Sequence, residues 1–423
     1  MTTHQTLTIE YDPEFVCTVR DESIGLTGYL VVDASLAGHA CGGLRLSEGV
    51  SIEELGSLAR SMTLKYGFSY MKQGGAKAGI VADPDLPLEK RRRLLYRFGE
   101  LLGPVLRQGY YYSGPDMNTT EEDIEHMLQG AGVHLPHPRR GKGKKSGLYT
   151  ALAVMVAAEA AASAMETSLQ GKTIAIEGFG AVGSPLAMLM AKKKGVKVLA
   201  VSTTKGAVYN PAGLDVERLL KLRQSHGNSL VTVYEDADRI DNEDLLTLDV
   251  DIISPCARQW AITEANADRI KASLVCPGAN NPVTPEAERM LFRRKIVSVP
   301  HFTANCGGVL GNKLEVVGVN EEYIESFIRK RNFDRIRSLI VRARDGSEPM
   351  AFIAEREAKR VFDKMREEAR HATLPSLTHR VGLRVFNAGL IPDFMIRPLA
   401  PRYLERTMRL PSHTFPGQVG SVV

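Results

Sequence analysis

The sequence predicts an α/β fold whose second half is a doubly wound parallel sheet, and three observations carry that expectation. Between Lys172 and Pro300, short β-branched runs (KTIAIEGFG, VKVLAVS, VDIISP, ASLVCPGAN, KIVSVP) alternate with helical stretches, the pattern of parallel strands joined by crossover helices. The first of these runs leads directly into Gly178-x-Gly180-x-x-Gly183 at the start of a helix. The region up to Asp116 is instead mixed. There GLTGYLVVDAS and AKAGIVADP read as strands, with the helix SIEELGSLARSMTLKYGF between them.

That helix begins with Ser51 and Glu54 at capping-box spacing, and Ile52, Leu55, Leu58 and Met62 recur along one face. EKRRRLLYRFGELLGPVL reads as a second helix, and GYYYSGPDMNTTEEDIEHML as a strand, a Gly-Pro turn and a capped helix. PHPRRGKGKKSG, Pro136–Gly147, reads as a solvated basic loop between domains rather than one that faces phosphate. The Ala-rich helix after it must be buried. The stretch from Asn320 to Met365 is helical and charged, and the Pro- and Arg-rich remainder has no readable pattern.

Composition narrows the class. The 423 residues are 43% hydrophobic and 24% charged, enough for two cores. A net charge of +5 argues for small anionic ligands rather than nucleic acid. Cys17, Cys41, Cys256, Cys276 and Cys306 form neither a CxxC pair nor a metal spacing, so buried thiols in a reducing compartment are expected and a metal is not. No signal-peptide pattern opens the chain and no apolar run is read as long enough to span a bilayer. The expectation is a soluble, cytoplasmic protein with no membrane or nucleic-acid partner.

In the glycine fingerprint, Gly178 permits the tight turn, Gly180 lets backbone approach a pyrophosphate, and Gly183 lets helix and strand pack closely. The pyrophosphate would rest on the helix N-terminus. At the end of the next strand an acidic residue would bind the ribose 2′-hydroxyl of NAD, but this chain has Thr203, Thr204 and Lys205. The cofactor expectation is therefore NAD or NADP, leaning to NADP.

MTLKYGFSYMKQGGAKAGI sets Lys65 and Lys77 among glycines and apolar residues. A buried lysine is unfavourable unless paired or deprotonated, so these two read as working residues and Lys72 as solvated. Gly74, Gly75 and Gly79 are expected to leave room for substrate beside Lys77.

GGLRLSEGVSIEELGSLARSMTLKYGFSYMKQGGAKAGI, SGPDMNT, IEGFGAVG, GANNPVTPEAERML and VPHFTANCGGVLGN occur in this order from Gly42 to Asn312. In them the chain resembles the glutamate/leucine/phenylalanine/valine dehydrogenases. The resemblance implies NAD(P)-dependent oxidative deamination of an L-amino acid to a 2-oxo acid and ammonium, and the reverse reaction, by a homo-oligomer. It implies a substrate-binding and oligomerisation domain over 1–145 and a Rossmann NAD(P)-binding domain over 146–335, facing each other across a cleft. A helical segment returning to the first domain, with a tail of unassigned role, would follow over 336–423.

By motif, Lys65 would hold the substrate α-carboxylate, Lys77 would be the catalytic lysine, and Asp116, just before a helix N-terminus, its proton-transfer partner. Lys65 would also supply the second positive charge that lowers the Lys77 pKa. Cys41, Gly43, Asn280 and Asn312 would line the substrate. The dinucleotide would meet Ser146, the Gly178–Gly183 turn with Phe179, Ala181 and Val182, the Thr203–Lys205 stretch, Cys256, Ala257, Asn280 and Asn305.

The chain also departs from the family. Cys41 precedes GGLR where glutamate-specific members have a lysine for the side-chain carboxylate, and an apolar substrate is preferred on that ground. Asn312 stands where glutamate enzymes tend to have serine. Pro277 and His301 replace a frequent glutamate and aspartate, and His301 is given no role. Two alternatives remain: a glutamate dehydrogenase with altered side-chain recognition, and a regulatory or scaffolding member that binds cofactor without turnover.

Overall fold

The computed structural model describes residues 12–133, 145–316 and 318–370. Most of the basic loop and the chain beyond Arg370 lie outside them. Two compact units are present. The first comprises the described residues up to Tyr66, Lys72 to 133, and Phe362 onward; the second comprises Gly67–Met71 and 145 to Val361.

The first unit is built on a five-stranded sheet of β1 (Phe15–Asp21), β2 (Leu26–Ala34), β3 (Ala40–Leu46), β4 (Gly74–Ile80) and β5 (Tyr111–Pro115). Their spatial order is β1-β2-β4-β3-β5. β1, β2 and β4 pair antiparallel, while β4, β3 and β5 run parallel. Helix α1 (Ile52–Ser69) follows β3; α2 (Leu88–Leu101), α3 (Gly103–Arg107) and α4 (Glu121–Gly130) complete the set.

Strand alternation divides the sheet's two faces. Ala40, Leu44, Ala76, Ala78 and Ile80 join Leu95 and Phe98 of α2 and Ile124 and Met127 of α4 in one core. Cys41, Gly43, Arg45, Gly75, Lys77 and Gly79 occupy the alternate positions, on the face that α1 covers. The glycines here do not hold space for substrate, as the sequence suggested. A Cβ at Gly75 would lie 2.3 Å from the Thr63 nitrogen and 2.5 Å from the Ala59 carbonyl oxygen, and one at Gly79 would meet Val50 and Leu55. Their bareness lets α1 lie directly on β4.

The second unit carries a seven-stranded sheet. Helix α5 (Ser146–Ala164) precedes β6 (Thr173–Glu177), α6 (Gly183–Lys194), β7 (Lys197–Thr203) and β8 (Gly206–Tyr209). Next come α7 (Val216–His226), α8 (Leu230–Val233), β9 (Asp238–Ile240), α9 (Asn242–Leu245), β10 (Ile252–Pro255) and β11 (Leu274–Val275). The unit ends with α10 (Pro285–Arg293), β12 (Val297–Ser298), α11 (His301–Ala304), α12 (Gly307–Val316), α13 (Glu321–Asp345) and most of α14 (Met350–Arg370).

The order is β12-β11-β10-β6-β7-β8-β9. The first five strands are parallel, as the alternation indicated. β8 and β9 add an antiparallel edge that was not foreseen, because the tight β7–β8 hairpin turns within two residues, Thr204 and Lys205. α13 runs unbroken through residue 336, so the second unit continues beyond the boundary expected there.

One expectation is corrected in α5: its 19 residues are long and apolar enough to cross a membrane. Instead Leu152, Val154, Met155 and Val156 are buried and the helix is part of the core.

The loop between β5 and α4 is fixed by a charged clasp. Arg91 on α2 donates to Asp123 through Nε (2.8 Å) and Nη2 (2.7 Å), and also to the carbonyls of Pro84 and Asn118. Asp123 accepts from the Thr120 N–H (2.7 Å) while Thr120 Oγ1 accepts from the Asp123 N–H, a full capping box. Burial pushes the Asp123 carboxyl up, but the bonds to Arg91 and Thr120 outweigh it and hold it below the usual range.

A group lowered on folding contributes stability above its unfolded pKa and loses it as pH falls through the folded one. Asp123→Asn should therefore lower unfolding stability by about 3 kcal/mol at pH 7. Urea denaturation at matched protomer concentration should show that deficit shrinking as the pH falls below about 4.

Candidate functional site

In the first unit, β3, β4, α1 and the turn after β5 bring four charges together. Lys77 Nζ lies 3.0 Å from Asp116 Oδ1, and Arg45 Nε donates to Asp116 Oδ2 at 2.9 Å. The Arg45 Nη1 group pairs with Glu54. The sequence thus becomes a chain of alternating sign, Lys77–Asp116–Arg45–Glu54. The two cations are nearly buried, at 4% and 7% side-chain exposure, whereas Asp116 and Glu54 keep 21% and 28%.

Gly43 makes the arrangement possible. A Cβ there would stand 2.7 Å from the Asp116 Cβ, so only glycine lets the aspartate lie flat over β3. The Asp116 N–H donates to Thr119 Oγ1 (2.9 Å), whose hydroxyl donates to the Leu44 carbonyl (2.7 Å). Asn118, at φ 60°, donates its amide to the Leu46 carbonyl. Asp116 is not at a helix N-terminus: α4 starts five residues later and its capping box is closed.

Burial is the largest influence on Lys77 and pushes its pKa down; Asp116 opposes this and Arg45 reinforces it. Asp116 is pushed up by burial, but Lys77 and Arg45 together hold it far below the carboxylate range. Arg45 is a cation that acts on Lys77, a role the sequence suggested for Lys65. Arg45 and Glu54 were missed, although period-two alternation from Cys41 and Gly43 puts Arg45 on this face. Glu54 was given to a capping box. Ser51 Oγ does accept from the Glu54 N–H (3.1 Å), yet the carboxylate goes to Arg45.

Lys65 is buried on α1. Its neighbour Tyr66 directs its hydroxyl to the Cys41 carbonyl at 3.5 Å. Cys41 is half-buried near the start of β3, opposite Gly75 and Tyr112.

In the second unit the glycine turn has the form a dinucleotide needs. Gly178 has φ +93°, a Cβ at Gly183 would lie 1.9 Å from the Gly178 carbonyl oxygen, and a Cβ at Gly180 would meet nothing within 4 Å. α6 begins without a side-chain cap, leaving its N-terminus to a ligand. Phe179 donates its N–H to the Ser202 carbonyl and Gly178 to Ser202 Oγ, which binds the turn to β7. Ala181 lies against Gly147, one residue after Ser146; Val182 and Cys256 both approach Gly278. Ala257 packs on Gly178.

Asn305 Nδ2 reaches Asn280 Oδ1 (3.0 Å) and the Ala279 carbonyl (2.9 Å), while its own Oδ1 is buried without a partner. That orphaned acceptor, the open Gly180 and the uncapped helix fit a nicotinamide dinucleotide. Asn312 also has a buried, unpartnered Oδ1 on α12. Thr203 is committed elsewhere, its hydroxyl donating to the Asn228 carbonyl (2.7 Å), whereas Thr204 and Lys205 are exposed. Burial pushes the Cys256 thiol up to about 12, so it is no nucleophile at neutral pH. Among the described residues no cluster of metal-binding side chains occurs.

Residues 144–367 match the Glutamate/Leucine/Phenylalanine/Valine dehydrogenase family, and residues 13–131 match its dimerisation domain. A glutamate dehydrogenase of Thermotoga maritima is 33% identical over 379 residues, covering 86% of this chain and 87% of the relative. An NAD-specific glutamate dehydrogenase of Staphylococcus aureus is 35% identical over 70% of this chain and 73% of its own length. The fold is similar to a hetero-hexameric glutamate dehydrogenase of Thermus thermophilus in its Leu-bound form. The TM-score is 0.72 at 25% identity, over 85% of this chain and 91% of that one. With family matches over both units and relatives aligned along most of its length, the chain belongs to the Glu/Leu/Phe/Val dehydrogenases, NAD(P)-dependent amino-acid dehydrogenases.

Proposed function

We propose that the enzyme oxidatively deaminates an L-amino acid with an apolar side chain to its 2-oxo acid, and catalyses the reverse reductive amination. The observation that carries the chemistry is the pairing of buried Lys77 with Asp116, with Arg45 behind it. A bound nicotinamide dinucleotide would supply the acceptor for the hydride that leaves the substrate Cα.

Lys77 Nζ, with its pKa lowered, takes the proton from the water that attacks the substrate iminium carbon. Asp116 exchanges a proton with the substrate nitrogen through its carboxylate, held in place by Arg45. Lys65 is assigned to the α-carboxylate, Asn280 to the amino group, and Gly43 and Asn312 to substrate contact. Ser146, the Gly178–Gly183 turn, Cys256, Ala257 and Asn305 hold the dinucleotide.

The side-chain preference rests on Cys41. A glutamate carboxylate desolvated beside a neutral thiol would be disfavoured by several kcal/mol. Thr204 and Lys205, with no carboxylate among them, favour NADP over NAD. A homo-oligomer is the proposed assembly, in keeping with the match to a dimerisation domain.

A panel of L-amino acids (Glu, Leu, Val, Phe, Trp, Ala) with each cofactor should give its highest kcat/KM on an apolar substrate with NADP⁺. Lys77→Ala should abolish turnover, and glutamate as the best substrate would refute the side-chain assignment. Cys41→Lys should raise the glutamate-to-apolar ratio of kcat/KM at least about tenfold.

Arg45→Gln tests the tuning of the base. Lys77 acts deprotonated, so kcat/KM rises with pH through its pKa. Removing a cation that favours the neutral amine raises that pKa, and the rising limb should move to higher pH. An unmoved limb would mean that Arg45 does not act on Lys77.

A further inference from the structure

The glycine turn has a charged neighbour that the fingerprint does not include. Glu177 is the last residue of β6, immediately before Gly178, and is only 4% exposed. Its Oε1 accepts from Arg258 Nε at 3.1 Å, while Oε2 is buried with no partner. Arg258 follows β10 by three residues, and its side chain is 56% exposed. Among the described residues its two Nη groups make no hydrogen bond.

Backbone contacts fix the intervening chain. The Cys256 N–H donates to the Glu177 carbonyl (2.7 Å), and Ala257 packs against Gly178. β6 and β10 are the adjacent strands at which the sheet's order reverses, and ligands of such sheets bind beyond the carboxyl ends of strands at that point.

A buried carboxylate here would repel a diphosphate. Anchored through Nε alone, Arg258 cancels that charge and still turns a two-pronged donor toward solvent, geometry suited to phosphate oxygens. We propose that Arg258 is a phosphate-binding residue for the dinucleotide and that Glu177 positions it. The inference rests on the dinucleotide reading of this turn.

Equilibrium binding of NADH and NADPH, followed by nicotinamide fluorescence at low and high salt, tests it. Arg258→Met should weaken the better-bound cofactor by about tenfold and make its affinity less salt-dependent. The double variant Glu177→Gln/Arg258→Met should bind more tightly than Arg258→Met, because the unpaired carboxylate has gone. Thermal melts identify any variant that fails to fold, and Arg258→Lys, keeping the charge, should recover part of the loss.

If Arg258→Met binds within twofold of the parent, or if the double variant is no tighter than the single, the proposal is overturned. A parent enzyme that binds neither cofactor would overturn the dinucleotide reading as well.

Discussion

The structure of the first unit depends on accommodating two cationic side chains inside it. Lys77 and Arg45 are almost fully withdrawn from water, and removing either from solvent alone would cost several kcal/mol. Asp116 lies between them and Glu54 beyond, so each positive charge touches a negative one and the set is neutral as a whole. The carboxylates keep some contact with water, which lowers the desolvation that the array must offset. Local features that otherwise look unrelated serve this arrangement. Gly43 makes room for Asp116, Gly75 and Gly79 bring α1 close enough for Glu54 to reach Arg45, and Thr119 and Asn118 pin the β5 turn to β3.

Much of this was legible in the sequence, though unevenly. The Rossmann half could be read because its signals are local: β-branched runs, a helical period, and a glycine fingerprint whose positions each meet a steric demand observed at Gly178, Gly180 and Gly183. The α1 periodicity and the presence of a capped helix after the Gly-Pro turn were readable for the same reason. Arg45 escaped because its partner Asp116 is 71 residues away, and Glu54 because its capping-box position already gave it an ordinary local explanation. The glycines of β4 were misread for a related reason. A bare position shows that something comes close, but only the fold shows whether it is ligand or backbone.

The antiparallel β8–β9 edge follows from Thr203, Thr204 and Lys205, residues first considered for their charge alone. Their sequence position matched that of the ribose-binding acid, yet the chain reverses there within two residues. Thr203 spends its hydroxyl on the Asn228 carbonyl. Only Thr204 and Lys205 are left exposed on the turn, so the side-chain groups it presents to solvent are a hydroxyl and an ammonium.

Chemistry and side-chain selection are separable along β3. Cys41 and Arg45 share a face four residues apart, about 13 Å along an extended strand. Arg45 is tied into the charged array, so its replacement disturbs Asp116, Lys77 and α1 together. Cys41 is half-buried and not one of the four paired charges, and the Tyr66 hydroxyl donates to its backbone carbonyl, a contact that any residue at the position retains. Under the proposed assignment of Cys41, a change at 41 alters the polarity offered to a substrate side chain while the four charges stay paired. Identity of about a third to glutamate dehydrogenases is compatible with a different substrate for this reason. The four paired charges form an array that cannot change piecemeal, whereas position 41 is not one of the four.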